Sequence, residues 1–442
     1  MSVLTNSCRF ASVIEKAALF LAVSLEKSLV LRITGRVAAF IENSFQRSSL
    51  CAFARHLQRL YPVRFYAVVD RINMALPFTD LSPARIFPVA YLLFISLGNM
   101  SILSFSLVIL FLFCFILAFS IASKIRVERV VFEESALRLG VIVVLVSLIA
   151  LCLDLYRAYD VPLLEPQARI KLSVAYTYIA TFLVPGAVLL VALLGKHYIR
   201  GRLGTREVRV YAFAIALTIT LLISLLGYRT QSVVSLLAFT FVMHRYRIIG
   251  MAEILVALAG VLFSVAAIGY YRTLAIGGEV NFMEVISRRV ELTITLYDYT
   301  VNAIRSAGIT TLLFGYYRGD IALATFSSFL DFVPGFSLGP RTIVARNFGV
   351  TGVSLTSTLL GTVTLDLGVV GVVILAIALG GIIGAAHALA KRTGSAIATA
   401  LYSVCFAYLL VGIETGLVDF NVFVLFSFTA FLVLASIAKT ER

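Results

Sequence analysis

Long apolar runs constrain this chain more than any other feature, because a run of about twenty such residues has few places to go. A helix of roughly 17–25 apolar residues crosses the hydrocarbon core of a bilayer. Within that core only helices and closed barrels satisfy their own backbone polar groups. The runs fall at 86–98, 102–122, 139–155, 172–194, 210–226, 230–243, 251–270, 367–390, 395–413 and 420–438. The chain is 60% hydrophobic and only 14% charged, with a mean hydropathy of +1.00, whereas a soluble domain carries about 25% charge. The expected fold class is therefore all-α, a polytopic integral membrane protein of about ten transmembrane helices. One stretch needs dividing. As a single helix, 86–122 would reach about 55 Å, too long for one crossing, so Gly98-Asn99-Met100-Ser101 is read as the turn of a hairpin.

Charge orients the bundle. With both termini inside, 26 of the 37 Lys and Arg residues fall in cytoplasmic segments and 11 outside, the bias that membrane insertion imposes. The net charge of +14 follows those loops, so a nucleic-acid partner is not indicated. The first 20 residues lack a hydrophobic signal followed by a small-residue cleavage site, so no secretory peptide is expected to be removed. Four regions result. Residues 1–85 form a basic cytoplasmic segment whose charges interrupt every apolar run, which suits amphipathic helices on the membrane surface or a loosely ordered tail. Residues 86–270 hold seven spans, 271–366 a large extracytoplasmic loop, and 367–442 three spans and a short cytoplasmic tail.

The loop is too long for a passive connector. It carries seven arginines, Arg272, Arg288, Arg289, Arg305, Arg318, Arg341 and Arg346, and no lysine. Guanidinium binds phosphate and carboxylate in a planar, bidentate way that ammonium does not match, so the loop suits an anionic, lipid-borne substrate. Its stretches 309–317 and 321–336 are apolar but interrupted by Arg318, Asp320 and Asp331. They read as short helices lying at the interface or re-entering between spans. The histidines His56, His197, His244 and His387 all map to the cytoplasmic side or its edge, and none of the five cysteines lies in the loop. Outer-face His-dependent hydrolysis and a His/Cys metal site are accordingly not expected, nor is a bound cofactor.

Candidate chemistry rests on arginine, carboxylate and glycine. Arg229 follows Gly227-Tyr228 in a tight outer turn, and Thr230 is placed to cap the next helix, whose N-terminal dipole would face an anion. The alternative for Arg229 is a structural ion pair with an outer carboxylate. Gly339-Pro340-Arg341 continues to Arg346 and Gly349, a glycine density that lets backbone approach a ligand. Asp366 stands at the mouth of the eighth span before Gly368 and Gly371. It is either a partner for an outer arginine or a general base, and Asp298, Asp320, Asp331 and Glu291 are weaker candidates for the base.

Over roughly 210–385 this order resembles the oligosaccharide repeat-unit polymerases of the O-antigen polymerase type, including an archaeal branch. The resembling elements are the Gly-x-Arg turn, two spans, a large outer loop with Gly-Pro-Arg and a Thr/Ser-rich approach from Thr351 to Thr364, and Asp-x-Gly-x-x-Gly opening a span. The resemblance implies a glycosyltransferase C-like membrane bundle and a metal-independent glycosyl transfer at the outer face. The implied donor is a polyprenyl-diphosphate-linked oligosaccharide, and the acceptor is a hydroxyl of a second lipid-linked unit. Membrane lipids, a flippase and a chain-length regulator are the implied partners. Arg341 and Arg229 would hold the diphosphate first, with Arg289, Arg318 and Arg346 next and Tyr228 and Gly339 lining the same ground. Asp366 or Asp320 would take the acceptor proton. A transporter or flippase of a lipid-linked glycan or other anion, and a glycan ligase, are the competing expectations.

Overall fold

The computed structural model describes residues 81–440 except 128–129, 164, 166–167, 169–170, 276–281, 328–338 and 351–354. The basic segment 1–80, Asp331, and Gly335–Leu338 of the Gly-Pro-Arg cluster therefore lie outside the described residues. Those described form α-helices with no β-strand among them. In chain order they are α1 (Pro83–Ile95), α2 (Ile102–Ala122), α3 (Ala136–Ala158), α4 (Val174–Thr181), α5 (Leu183–Ile199), α6 (Thr205–Ser224), α7 (Arg229–Arg245) and α8 (Met251–Ala275). Then come α9 (Phe282–Ser306), α10 (Ile309–Phe314), α11 (Asp320–Ser327), α12 (Pro340–Asn347), α13 (Thr358–Thr393), α14 (Ala396–Thr415) and α15 (Phe420–Thr440).

Each of the ten expected spans coincides with a helix, and among the described residues seven spans are long and apolar enough to cross a membrane. They are α2, α3, α4 with α5, α6, α13, α14 and α15. The others are α1, at 13 residues, α7, at 17, and α8, whose described apolar part ends at Val261. The α1–α2 hairpin turns at Gly98–Ser101, where Ser101 caps α2 by accepting the Ser104 N–H. The step between α4 and α5 has a covalent cause: Pro185 has no N–H to give the carbonyl four residues back.

The core centres on α14, buried along almost its whole length against α5, α7 and α13. Lipid is as apolar as leucine, so close van der Waals packing drives such contacts. The tightest runs between α2 and α13, where a Cβ on Gly380 would lie 2.4 Å from the Phe115 carbonyl oxygen and one on Gly384 2.7 Å from that of Phe119. At the end of the bundle away from the 271–366 segment, Glu133 accepts from Lys196, Ser395 Oγ and the Ala396 N–H. His197, His244 and His387 lie toward that same end of α5, α7 and α13.

Two expectations change at the loop-bearing end. The loop holds short helices at 309–314 and 320–327, but also α9, a 25-residue helix. Its buried positions, Ile294, Tyr297, Val301 and Ile304, recur at three- and four-residue spacing between charged residues. That amphipathic pattern lowers the average hydropathy on which the reading of the loop leaned. The eighth span begins at Thr358, nine residues before the expected 367, and its helix breaks at Gly368 (φ 60°, ψ −150°). Asp366 thus lies inside a helix that breaks two residues later.

Candidate functional site

The break in α13 is filled from outside. Gly315, in the turn between α10 and α11, comes so close that a Cβ there would lie 2.2 Å from the Asp366 carbonyl oxygen. A Cβ on Gly368 would lie 2.5 Å from the Leu312 oxygen. Both glycines also have positive φ, so this contact tolerates no other residue without strain. The carbonyl of Leu365, freed by the break, accepts the Tyr316 N–H at 2.8 Å. The Asp366 side chain, 3% exposed, accepts the Gly319 N–H at 2.8 Å and the Ile321 N–H at 3.1 Å on Oδ1, and the Ala322 N–H at 2.9 Å on Oδ2. Three backbone donors at the start of α11 therefore close on one carboxylate.

That turn presents two of the expected residues. Arg318 is exposed and left-handed (φ 52°), and Asp320 is exposed at the first position of α11. Beyond it, Gly339 is the N-cap of α12 and Pro340 its first residue, where a missing N–H costs nothing. This sets Arg341 in the first turn. Its Nη2 donates to Asp419 Oδ2 at 2.7 Å, and its Nε is buried with no hydrogen-bond partner among the described residues. Arg346 is exposed in the last turn of the same helix.

Arg289, on α9, donates through Nε to Glu414 in the last turn of α14. Glu414 and Asp419 flank the single turn between α14 and α15, so two arginines from separate elements of the 271–366 loop converge on it. Beneath lies a buried polar junction. The Tyr408 hydroxyl donates to Gln231 Oε1 at 2.8 Å, and Asn421 Nδ2 lies 3.3 Å from the Tyr408 oxygen and 3.1 Å from Thr181 Oγ1. Arg229 is the first residue of α7, two positions before Gln231, so this junction ties its helix to the Asp419 turn. Thr230 does not cap α7: the N-cap is Tyr228, with no side-chain capping bond, and Thr230 is already helical. Gly227 makes the preceding turn (φ 71°), its Cβ position 2.8 Å from the Pro162 oxygen.

A cavity of about 280 Å³ adjoins both clusters. It is bounded by Ile321 and Asp366 at the loop-bearing end and continues along Leu375, Leu379, Leu417 and Phe426 between α13 and α15. From Asp366 to Leu379 the helix rises roughly 20 Å, so the slot runs from the loop-bearing end into apolar depth.

The helix α9 is fastened to the α1–α2 turn. Asp298 Oδ1 accepts the Ser101 N–H at 2.7 Å and Ser104 Oγ at 2.6 Å, while Asn302 donates to Oδ2 at 3.0 Å. Desolvation pushes the Asp298 carboxyl up, but these donors together outweigh it and hold the group below its ordinary value.

Glu414 and Asp419 were not singled out from sequence. A signal was present: they are the acidic residues of the last turn between spans, a turn without a basic residue of its own. Among the described residues no three of His, Cys, Asp and Glu come together as a metal site would need.

Comparison with known proteins places this architecture. A protein of the archaeon Methanocaldococcus jannaschii, itself uncharacterized, is 29% identical over 300 residues, covering 67% of this chain and 76% of its own. No solved structure matches. The sequence profile of the O-antigen polymerases, whose activity is the joining of lipid-linked oligosaccharide repeat units, matches residues 80–426. The 271–366 loop, both arginine–carboxylate pairs and all the spans but the greater part of α15 lie within that match, and the chain belongs to the O-antigen polymerase family.

Proposed function

We propose that this protein polymerises lipid-linked oligosaccharide repeat units at the outer face of the membrane, without a metal. The donor is a polyprenyl-diphosphate-linked glycan. A hydroxyl of a second lipid-linked unit attacks its anomeric carbon, the sugar–phosphate C–O bond breaks, and polyprenyl diphosphate departs with the bonding pair. The observation that carries this reading is Arg341. Its guanidinium is held by Asp419 at one nitrogen and keeps a buried Nε with no partner among the described residues, and Val418, the neighbour of that Asp419, lines the apolar cavity. A buried donor without an acceptor is costly, and a phosphate oxygen satisfies it.

Arg341 and Arg289 hold the diphosphate and offset the charge that grows on the leaving group. Arg229, with Tyr228 beside it, meets the same anion from the start of α7, Gly339 lets the lipid-borne group approach α12, and Arg318 and Arg346 attract it from the exposed rim. Of the two carboxylates first considered for the acceptor proton, Asp366 is occupied by backbone donors, whereas Asp320 faces outward. Asp320 is therefore the better-placed base, and Asp366 anchors its turn. The charge bias of the loops supports an outer location for this end and an inner location for both termini.

The broken helix α13 is a device that transporters also use, and it favours transport as the second reading. Here, however, the break is packed by Leu312 and Gly315 rather than left open to a ligand. The test uses purified protein in lipid with a polyprenyl-diphosphate oligosaccharide and EDTA, beside Arg289→Ala and Arg341→Ala. A product ladder that survives chelation and disappears in the variants is expected. A folded protein that yields no ladder from its cognate repeat unit refutes the polymerase.

A further inference from the structure

Resting on that reading, we infer that Glu414 and Asp419 are positioning residues that aim Arg289 and Arg341 at one diphosphate. The two arginines come from α9 and α12, and each hands one nitrogen to a carboxylate at either edge of the α14–α15 turn. A guanidinium has five N–H donors, so one carboxylate contact orients the fork while leaving other donors for a ligand. The side chains of both pairs are a quarter to a third exposed, which keeps them within reach of the lipid headgroup region.

The turn is built to hold its shape. The Gly416 N–H (φ 74°) donates to the Gly412 carbonyl at 2.8 Å, and Leu417 packs so closely on Gly412 that a Cβ there would lie 2.7 Å from Leu417 Cδ2. The Asp419 carbonyl receives the N–H groups of Val422 and Phe423, both at 3.1 Å. The Gln231–Tyr408–Asn421 junction braces the helices on either side. Leu417 and Val418 form part of the cavity wall, so the segment that holds the arginines also borders the apolar slot. Ion pairs this exposed contribute little to folding, and their effect belongs to geometry: a long, flexible side chain is confined to one orientation before the substrate arrives.

The two roles, positioning and plain stabilisation, move binding and turnover differently. Replacing Glu414 or Asp419 with the neutral amide removes a negative charge that repels diphosphate, so ground-state binding holds or tightens. The orientation needed as the C–O bond breaks is lost, so turnover falls. In lipid nanodiscs, Glu414→Gln and Asp419→Asn should bind farnesyl diphosphate as well as the wild type or better. Their kcat should drop about tenfold or more, the scale seen when partners that orient ligating groups are removed. Their Tm should change little, and Asp419→Glu should recover part of the rate. Unchanged kcat overturns the inference, as does a parallel decline of kcat, binding and Tm, which marks a merely structural pair. The arginine variants separate this from the underlying reading. If Arg289→Ala and Arg341→Ala bind farnesyl diphosphate normally, the diphosphate site itself is wrong. If they lose binding while the amide variants turn over normally, only the positioning role is wrong.

Discussion

Replacing Asp366 with Asn separates an anchor from a catalyst. The carboxylate takes three backbone N–H groups at 2.8, 3.1 and 2.9 Å. In Asp366→Asn one oxygen can still accept from Gly319 and Ile321, but an amide NH₂ then faces the Ala322 N–H, donor against donor. The charge that strengthens the remaining bonds is also gone. Hydrogen bonds to a charged group contribute about 1.5–3 kcal/mol each, and they are not additive. Losing one and weakening two should therefore cost about 2–4 kcal/mol of docking free energy for the α10–α11 turn. At 1.4 kcal/mol per tenfold, that turn opens about 30- to 1,000-fold more often. Arg318 lies exposed at its tip, so trypsin under conditions of fast reclosing reads the opening directly. Cleavage after Arg318 should accelerate by that factor, identified by fragment mass, with turnover falling as the turn detaches. Turnover abolished with cleavage unchanged refutes this account and makes Asp366 the proton acceptor.

Gly380→Leu should prevent α2 and α13 from closing, since even its Cβ would meet the Phe115 oxygen at 2.4 Å. Overpacking of this kind costs about 1–3 kcal/mol or more, visible as a lower Tm or as loss of the monodisperse peak. Gly381, whose Cβ position meets nothing within 4 Å, is the control, and Gly381→Ala should be neutral. Acid should release α9 from the α1–α2 turn. The Asp298 carboxyl is held below its ordinary value, so its contribution is full above the unfolded-state value of about 3.9 and disappears as pH falls below it. Hydrogen exchange at Ser101 should rise across that window in the wild type and be high at all pH values in Asp298→Ala; an exchange rate at Ser101 that does not change with pH would contradict it.

Much of the bundle was legible because partition into a bilayer is a local property. Twenty consecutive apolar residues leave water together whatever the rest of the chain does, which is why the ten segments emerged from hydropathy and coincide with helices. The hairpin at Gly98–Ser101 was legible for a related reason: a single helix of that length overshoots the membrane. The amphipathic α9 was not, since its average hydropathy is that of a surface and its buried face becomes evident only against α2 and α13. Arg341 and Arg289 could be picked out from sequence as candidates, but not the carboxylates that meet them.

Those pairings lie 125 residues apart for Arg289 and Glu414, and 78 for Arg341 and Asp419. Nothing in the composition around either partner encodes such a separation. It follows from where α9, packed on α13, and α12, packed on α11, carry their arginines relative to the end of α14, one arrangement among many of similar hydropathy. Asp366 makes the same point. Its sequence, a carboxylate followed by two glycines at a membrane boundary, suits a base and an anchor equally well. Only the break at Gly368 and the approach of Gly315 bring the three N–H groups to its oxygens, the contacts on which the anchor reading rests. By itself, then, the chain determined a membrane bundle, the uneven spread of its charge and an arginine-rich loop between spans, because hydration and charge act residue by residue. The tertiary structure decided which acid meets which base, because a hydrogen bond extends about 3 Å and depends on where whole helices come to rest.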